Sequence, residues 1–226
     1  MLTITEVLAA QFKPSDVSFF VYLCVLLSSF FIGIYQKSVV PKSLGILVWL
    51  LGITIFVEVV GNYFQEENKW IYKIFLPVEY LLTAVYFTII LKSLRYKKLI
   101  FISIGIIGFL CFANFISGFS YKYMSTYCIL LSYFLSSLWG TLYLIQCFRE
   151  IEEDNYKVNP HFWICTGILF FYAGSFFQMG FTNIIYTYDQ ELAKKLYIIN
   201  HLLNCVLYGM ITYGFICQAK YRKLSL

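Results

Sequence analysis

Apolar positions in this 226-residue chain gather into seven unbroken stretches separated by short polar breaks. The stretches are Val17–Tyr35, Leu44–Phe64, Trp70–Leu91, Leu99–Gly118, Met124–Phe148, Phe162–Ile185 and Leu196–Cys217. Each holds about 19 to 25 residues, the length a helix needs to cross a hydrocarbon core of about 30 Å. In hydrocarbon every backbone polar group must be satisfied internally, so isolated stretches of this length predict helices. The first, fourth, fifth and sixth contain neither a charged residue nor a histidine. The pattern predicts an all-α protein: a seven-helix transmembrane bundle forming a single domain over residues 1–226.

The breaks leave no room for a second module. The longest, residues 149–161, has 13 residues, and the tails have 16 and nine. On these lengths no soluble catalytic domain, ATP-binding module or nucleic-acid reader is expected. Composition agrees, with 60% hydrophobic and 13% charged residues. The N-terminal segment carries Glu6 in place of a basic signal-peptide region, so the first stretch is expected to stay as an anchor.

The net charge of +5 lies in the breaks, where it bears on topology. One side of the membrane would hold Lys37, Lys42, Lys92, Arg95, Lys97, Lys98, Arg149, Lys157, Lys220, Arg222 and Lys223, 11 in all. The other would hold Lys13, Lys69, Lys73, Lys122, Lys194 and Lys195, six in all. The positive-inside rule places the first group in the cytoplasm and the N-terminus outside, as in a multi-pass protein of the bacterial inner membrane. Trp70 and Trp163 fall at opposite boundaries, as aromatic belts require. Asn159 and Pro160 form a capping signal for the sixth helix.

Small residues mark sites of close helix approach. Ser132, Ser136 and Gly140 share a face of the fifth helix, and Ala113 and Ser117 share one on the fourth. Such a groove accepts a neighbouring helix of the bundle or of a second protomer. The seven cysteines (Cys24, Cys111, Cys128, Cys147, Cys165, Cys205, Cys217) are scattered, with no CxxC pair, and read as small packing residues. No metal site or cofactor is expected.

The polar residues within the helices are aligned. Thr54, Glu58 and Asn62 share a face of the second helix, and Glu79, Thr83 and Tyr86 a face of the third. The sixth offers Ser175, Gln178 and Thr182. The seventh offers Asn200, Asn204, Tyr208 and Thr212, with His201 beside them. Counted at about 1.5 Å per residue, Glu58, Glu79, Asn114, Gln178, His201 and Asn204 lie roughly 6–14 Å below the outer boundary. The inner half shows little to match, with Gln146 at a helix end within reach of water. An outer-half polar cavity follows, lined by Glu58, Asn62, Glu79, Gln178, Asn200, His201 and Asn204. Pro77 should kink the third helix beside Glu79 and free the carbonyl of Lys73. The competing reading makes the amides and hydroxyls interhelical glue worth about 0.6 kcal/mol each. It suits the two carboxylates less, since a charge at such depth costs at least about 2.5 kcal/mol.

Known seven-helix chemistries fit poorly. The last helix has no lysine for a retinal Schiff base, and two histidines on opposite sides cannot build a zinc site. An acid–His201–serine arrangement is the one enzymatic option, and the balance leans against an enzyme. Two readings remain: a sensor or receptor whose outer cavity takes a small ligand or lipid, and a small proton-coupled transporter using Glu58 or Glu79. Two cytoplasmic loops of opposite sign bear on output. Lys92, Arg95, Lys97 and Lys98 face Glu150, Glu152, Glu153 and Asp154 in the next loop, and the acidic run either docks a partner or clasps the basic loop.

Three segments carry a resemblance. They are Asn62-Tyr63 with the run Trp70 to Tyr80 (WIYKIFLPVEY), Asn159 to Ile164 (NPHFWI) with Tyr172 to Phe177 (YAGSFF), and Ile199 to Asn204 (INHLLN). Together they resemble a group of uncharacterised small bacterial seven-helix membrane proteins that tend to be encoded near sensor histidine kinases. The resemblance implies a sensing role with a kinase-like cytoplasmic partner.

Overall fold

The computed structural model describes residues 17–36, 41–64, 69–116, 121–150 and 156–224. Seven α-helices follow one another: α1 Val17–Tyr35, α2 Lys42–Phe64, α3 Lys69–Ile90, α4 Leu94–Ile116, α5 Tyr121–Glu150, α6 Pro160–Tyr188 and α7 Gln190–Leu224. A 3₁₀ turn, Tyr156–Val158, precedes α6. No strand occurs among the described residues, and each of the seven helices contains a span long and apolar enough to cross a membrane. This is the architecture of a multi-pass helical bundle.

The helices outrun the apolar stretches at several ends. α4 begins at Leu94, taking in Arg95, Lys97 and Lys98, and Lys97 donates its backbone N–H to the Ser93 carbonyl at 3.1 Å. α7 reaches from Gln190 to Leu224, although only Ile198–Ala219 qualifies as a span. Hydropathy marks where hydrocarbon ends, whereas backbone hydrogen bonding carries a helix into the polar layer until a cap stops it. Asn159 supplies such a cap for α6: its side-chain oxygen accepts the His161 N–H at 3.0 Å, with Pro160 in the first turn. α3 passes through Pro77 as one helix from Lys69 to Ile90.

Six helices close a ring in the order α1, α2, α3, α5, α6, α7 and back to α1. α4 lies outside it, in the furrow between α3 and α5. Tyr80 of α3 holds it there, bonded to Ser103 of α4 at 2.7 Å and accepting the Trp139 indole N–H of α5 at 3.3 Å. The far side of α4 exposes Phe101, Ile102, Phe109 and Phe112, side chains suited to acyl chains.

The most extensive contact joins α6 and α7. A Cβ at Gly214 would sit 2.5 Å from Ile164 Cγ1 and 3.0 Å from the Pro160 carbonyl oxygen, and one at Gly167 would sit 2.7 Å from Met210 Cβ. Glycine is required there because the helices approach to within a side-chain's width. The stripe of Ser132, Ser136 and Gly140 is buried, and Gly140 faces α6 near the Cys165 carbonyl. That groove is filled by a helix of the same chain. Ser117 lies outside the described residues.

Candidate functional site

At the upper end of the ring, where α1 starts, two carboxylates point inward and each is held by a phenol from another helix. Tyr22 of α1 donates to Glu58 of α2 at 2.9 Å. Tyr172 of α6 donates to Glu79 of α3 at 2.9 Å. Tyr72 of α3 brings a second phenol to Glu58, and it reaches there over Gly61, where a Cβ would lie 2.8 Å from its hydroxyl oxygen. Tyr208 of α7 packs 5.9 Å from Tyr22, centroid to centroid, within electrostatic range of both acids. Tyr133 of α5 sits 5.3 Å from Tyr172. Five tyrosines from five helices therefore surround two acids, an arrangement suited to a small cation through carboxylate charge and aromatic faces.

His201 joins the same cluster from α7. Its ring stacks on Tyr22 with planes 4° apart, and Ser18 Oγ lies 3.0 Å from its Nδ1. Glu58 gives Oε1 to Tyr22, so acid and imidazole are linked across one tyrosine. Spacing along single helices thus brings together Glu58, Glu79 and His201. Asn200 is buried, and Asn204 turns back onto it, donating to the Asn200 side-chain oxygen at 2.6 Å and its carbonyl at 3.0 Å. Gln178 is buried, and neither amide atom has a hydrogen-bond partner among the described residues. The Asn62 side chain lies outside the described residues. Two aligned hydroxyls are spent within their own helix, Thr182 on the Gln178 carbonyl and Thr212 on that of Tyr208, whereas Thr54 donates to the Leu50 carbonyl and also meets the Tyr208 hydroxyl of α7.

The lower end of the ring also gathers polar side chains. A cavity of about 350 Å³ opens there, lined by Ser43, Lys92, Tyr143, Gln146, Glu150 and His161 among others. His161 is its hub, with Tyr86 Oη 2.9 Å from Nδ1 and Ser43 Oγ 3.5 Å from Nε2. Gln146, half-buried at the helix end, closes α3: its oxygen accepts the Lys92 N–H at 3.0 Å and its amide donates to the Ile90 carbonyl at 3.4 Å. At the mouth, Lys92 and Glu150 form an ion pair at 2.6 Å. One contact between the basic and acidic loops is therefore present; Glu152, Glu153 and Asp154 lie outside the described residues. The pocket escaped notice because its members come from helix ends, where Asn159, Gln146 and Lys92 read as boundary residues.

Between the two ends, α3 and α6 keep their backbones apart and tyrosines bridge the space. The Tyr172 hydroxyl meets Thr83 Oγ1 at 3.4 Å, and one turn further down Tyr86 meets Cys165 Sγ at 3.9 Å before reaching His161. Polar side chains thus run along this seam from Glu79 to the lower cavity. Spacing picks out Tyr86 and Tyr208, but with 20 tyrosines in the chain it does not single out Tyr22, Tyr72, Tyr133 or Tyr172.

No protein-family model, curated protein or solved structure matches the chain significantly. Among the described residues no group of three or more His, Cys, Asp or Glu is placed to hold a metal ion.

Proposed function

We propose that this chain is a membrane-embedded receptor of the bacterial inner membrane, with its N-terminus outside and its C-terminus in the cytoplasm. Its upper tyrosine–carboxylate cluster takes a small ligand, best an organic cation, and reports occupancy to a separate cytoplasmic partner such as a histidine kinase. One observation carries the reading: Glu58 and Glu79 are held by phenols from α1 and α6, on helices other than their own. A cation that claims the carboxylates must loosen those contacts, so binding becomes a change in how helices are tied. Two acids enclosed among phenols also gain most from a positive ligand.

The test is equilibrium binding in lipid nanodiscs, using small primary and quaternary amines beside neutral isosteres of equal size. Saturable binding of a cation that falls at least about tenfold in Glu58→Gln and Glu79→Gln supports the reading. Equal binding of the neutral isostere, or amines that never bind, sinks it.

The seam of Thr83, Tyr86, Cys165 and His161 supports a second reading, a proton-coupled transporter. Proteoliposomes that move protons or solute, and stop doing so with Glu79→Gln, would favour transport over sensing.

A further inference from the structure

We propose that the lower pocket is a second binding site, specific for an oxyanion: a carboxylate or phosphate group carried by a soluble metabolite or by a lipid headgroup. The site is separate from the upper cluster and stands whether or not that cluster binds a cation.

The argument is a census of donors. Asn159 commits its side-chain oxygen to the His161 N–H, which fixes its amide nitrogen toward the Tyr143 hydroxyl at 3.2 Å. That hydroxyl oxygen is therefore an acceptor for Asn159, and its own proton has no acceptor among the described residues. Tyr143 lines the cavity, and the proton is available to a guest. His161 turns Nε2 toward Ser43 and the pocket, and that nitrogen carries the proton in the tautomer whose Nδ1 accepts from Tyr86. Ser43, buried at the start of α2, adds a rotatable hydroxyl. The start of α6 sets the positive end of a 29-residue helix beside these groups.

Charge completes the case. Among the described residues Lys92 is the one cation on the wall, and its partner is Glu150 at the mouth, with side chains 73% and 38% exposed. A pair so open to water is held weakly, so an oxyanion seated among the deeper donors can replace Glu150 on Lys92. The carboxylate acts as a stand-in for the guest, and the pair as a latch. At about 350 Å³ the cavity falls at the small end of ligand sites, enough for a compact acid or a headgroup.

The experiment uses the full chain in two arms. In the first, nanodiscs of phosphatidylcholine alone are titrated calorimetrically with inorganic phosphate, acetate and succinate. In the second, nanodiscs containing phosphatidylglycerol are opened in a native mass spectrometer and the retained lipid is counted. Lys92→Gln and Tyr143→Phe should each weaken binding about tenfold in whichever arm shows it. Glu150→Gln should tighten it several-fold, an effect that a purely structural ion pair would not produce. Binding in the first arm assigns a soluble guest, and binding only in the second assigns a lipid. Should Tyr143→Phe fail to fold, the exposed Lys92 carries the test. The proposal is overturned by the absence of saturable binding in both arms, by binding indifferent to Lys92, or by Glu150→Gln weakening it.

Discussion

The imidazole of His201 lies flat on the phenol ring of Tyr22, centroids 5.8 Å apart and planes 4° from parallel. The hydroxyl of the same ring donates to Glu58 at 2.9 Å. One side chain of α1 thereby grips α2 with its polar tip and α7 with its apolar face. The two functions separate by mutation. Tyr22→Phe keeps the stacked ring and should cost about 1 kcal/mol, the scale of a hydrogen bond inside a membrane bundle. Tyr22→Ala removes both and should cost about 3 kcal/mol or more. Denaturant midpoints in mixed micelles measure the difference; equal losses would mean that the ring contributes nothing.

The α6–α7 contact predicts a contrast among glycines. Gly214→Ala places a methyl group 2.5 Å from Ile164 Cγ1 and 3.0 Å from a backbone oxygen that cannot move aside. It should destabilise the bundle by about 1–3 kcal/mol. Gly108→Ala meets nothing within 4 Å on the outer face of α4 and should be neutral or stabilising by up to about 1 kcal/mol. Thermal midpoints of the two variants in one detergent decide it.

Gln146→Leu removes both bonds that close the end of α3. The Lys92 amide, bonded to the Gln146 oxygen at 3.0 Å, should exchange its hydrogen about tenfold faster. Hydrogen-exchange mass spectrometry on a peptide covering residues 91–98 reads this directly. An unchanged rate would show that the end of α3 is held by other means.

How much of this was legible before the coordinates follows from what periodicity can carry. A spacing of four places residues on one face of one helix, and together with the depth count it gives the expectation that Glu58, Glu79 and His201 lie at similar depth. It does not say which helices are neighbours. The pairing of α1 with α7 brings Ser18 and Tyr22 to His201, and nothing in the first helix announces it. Asn204 shows the opposite failure: its place in the polar stripe is right, but Asn200 on the same helix takes its amide. The lower pocket was hidden for a third reason. Its residues sit at helix ends, where Lys, Glu, Asn and Gln are ordinary, and only the ring's closure makes a wall of them.

The proposed topology rests on the 11-to-six split of the basic residues. A fluorescent protein fused after Leu226 should glow, and alkaline phosphatase at the same point should be inactive. The reverse pair of results would turn the bundle over and set the tyrosine–carboxylate cluster toward the cytoplasm.

The acidic loop predicts a partner contact. Native-membrane pull-downs should lose a bound cytoplasmic protein when Glu150, Glu152 and Glu153 are changed together to Gln, and the wild-type capture should weaken with salt. Identical captures at unchanged yield would remove this loop as the docking surface.

The length of α7 has a mechanical consequence. Its 35 residues make a rod about 52 Å long, pressed hard against α6 where Met210 meets Gly167. Treated as a fulcrum, that contact leaves an arm of about 14 Å up to His201 and one of about 21 Å down to Leu224. A sideways displacement of about 1 Å at His201 would then swing the opposite tip by about 1.5 Å in the other direction. Gly167 would then serve α7 as a pivot, with the greater length of the rod, from Met210 back to Gln190, on the side of the acids.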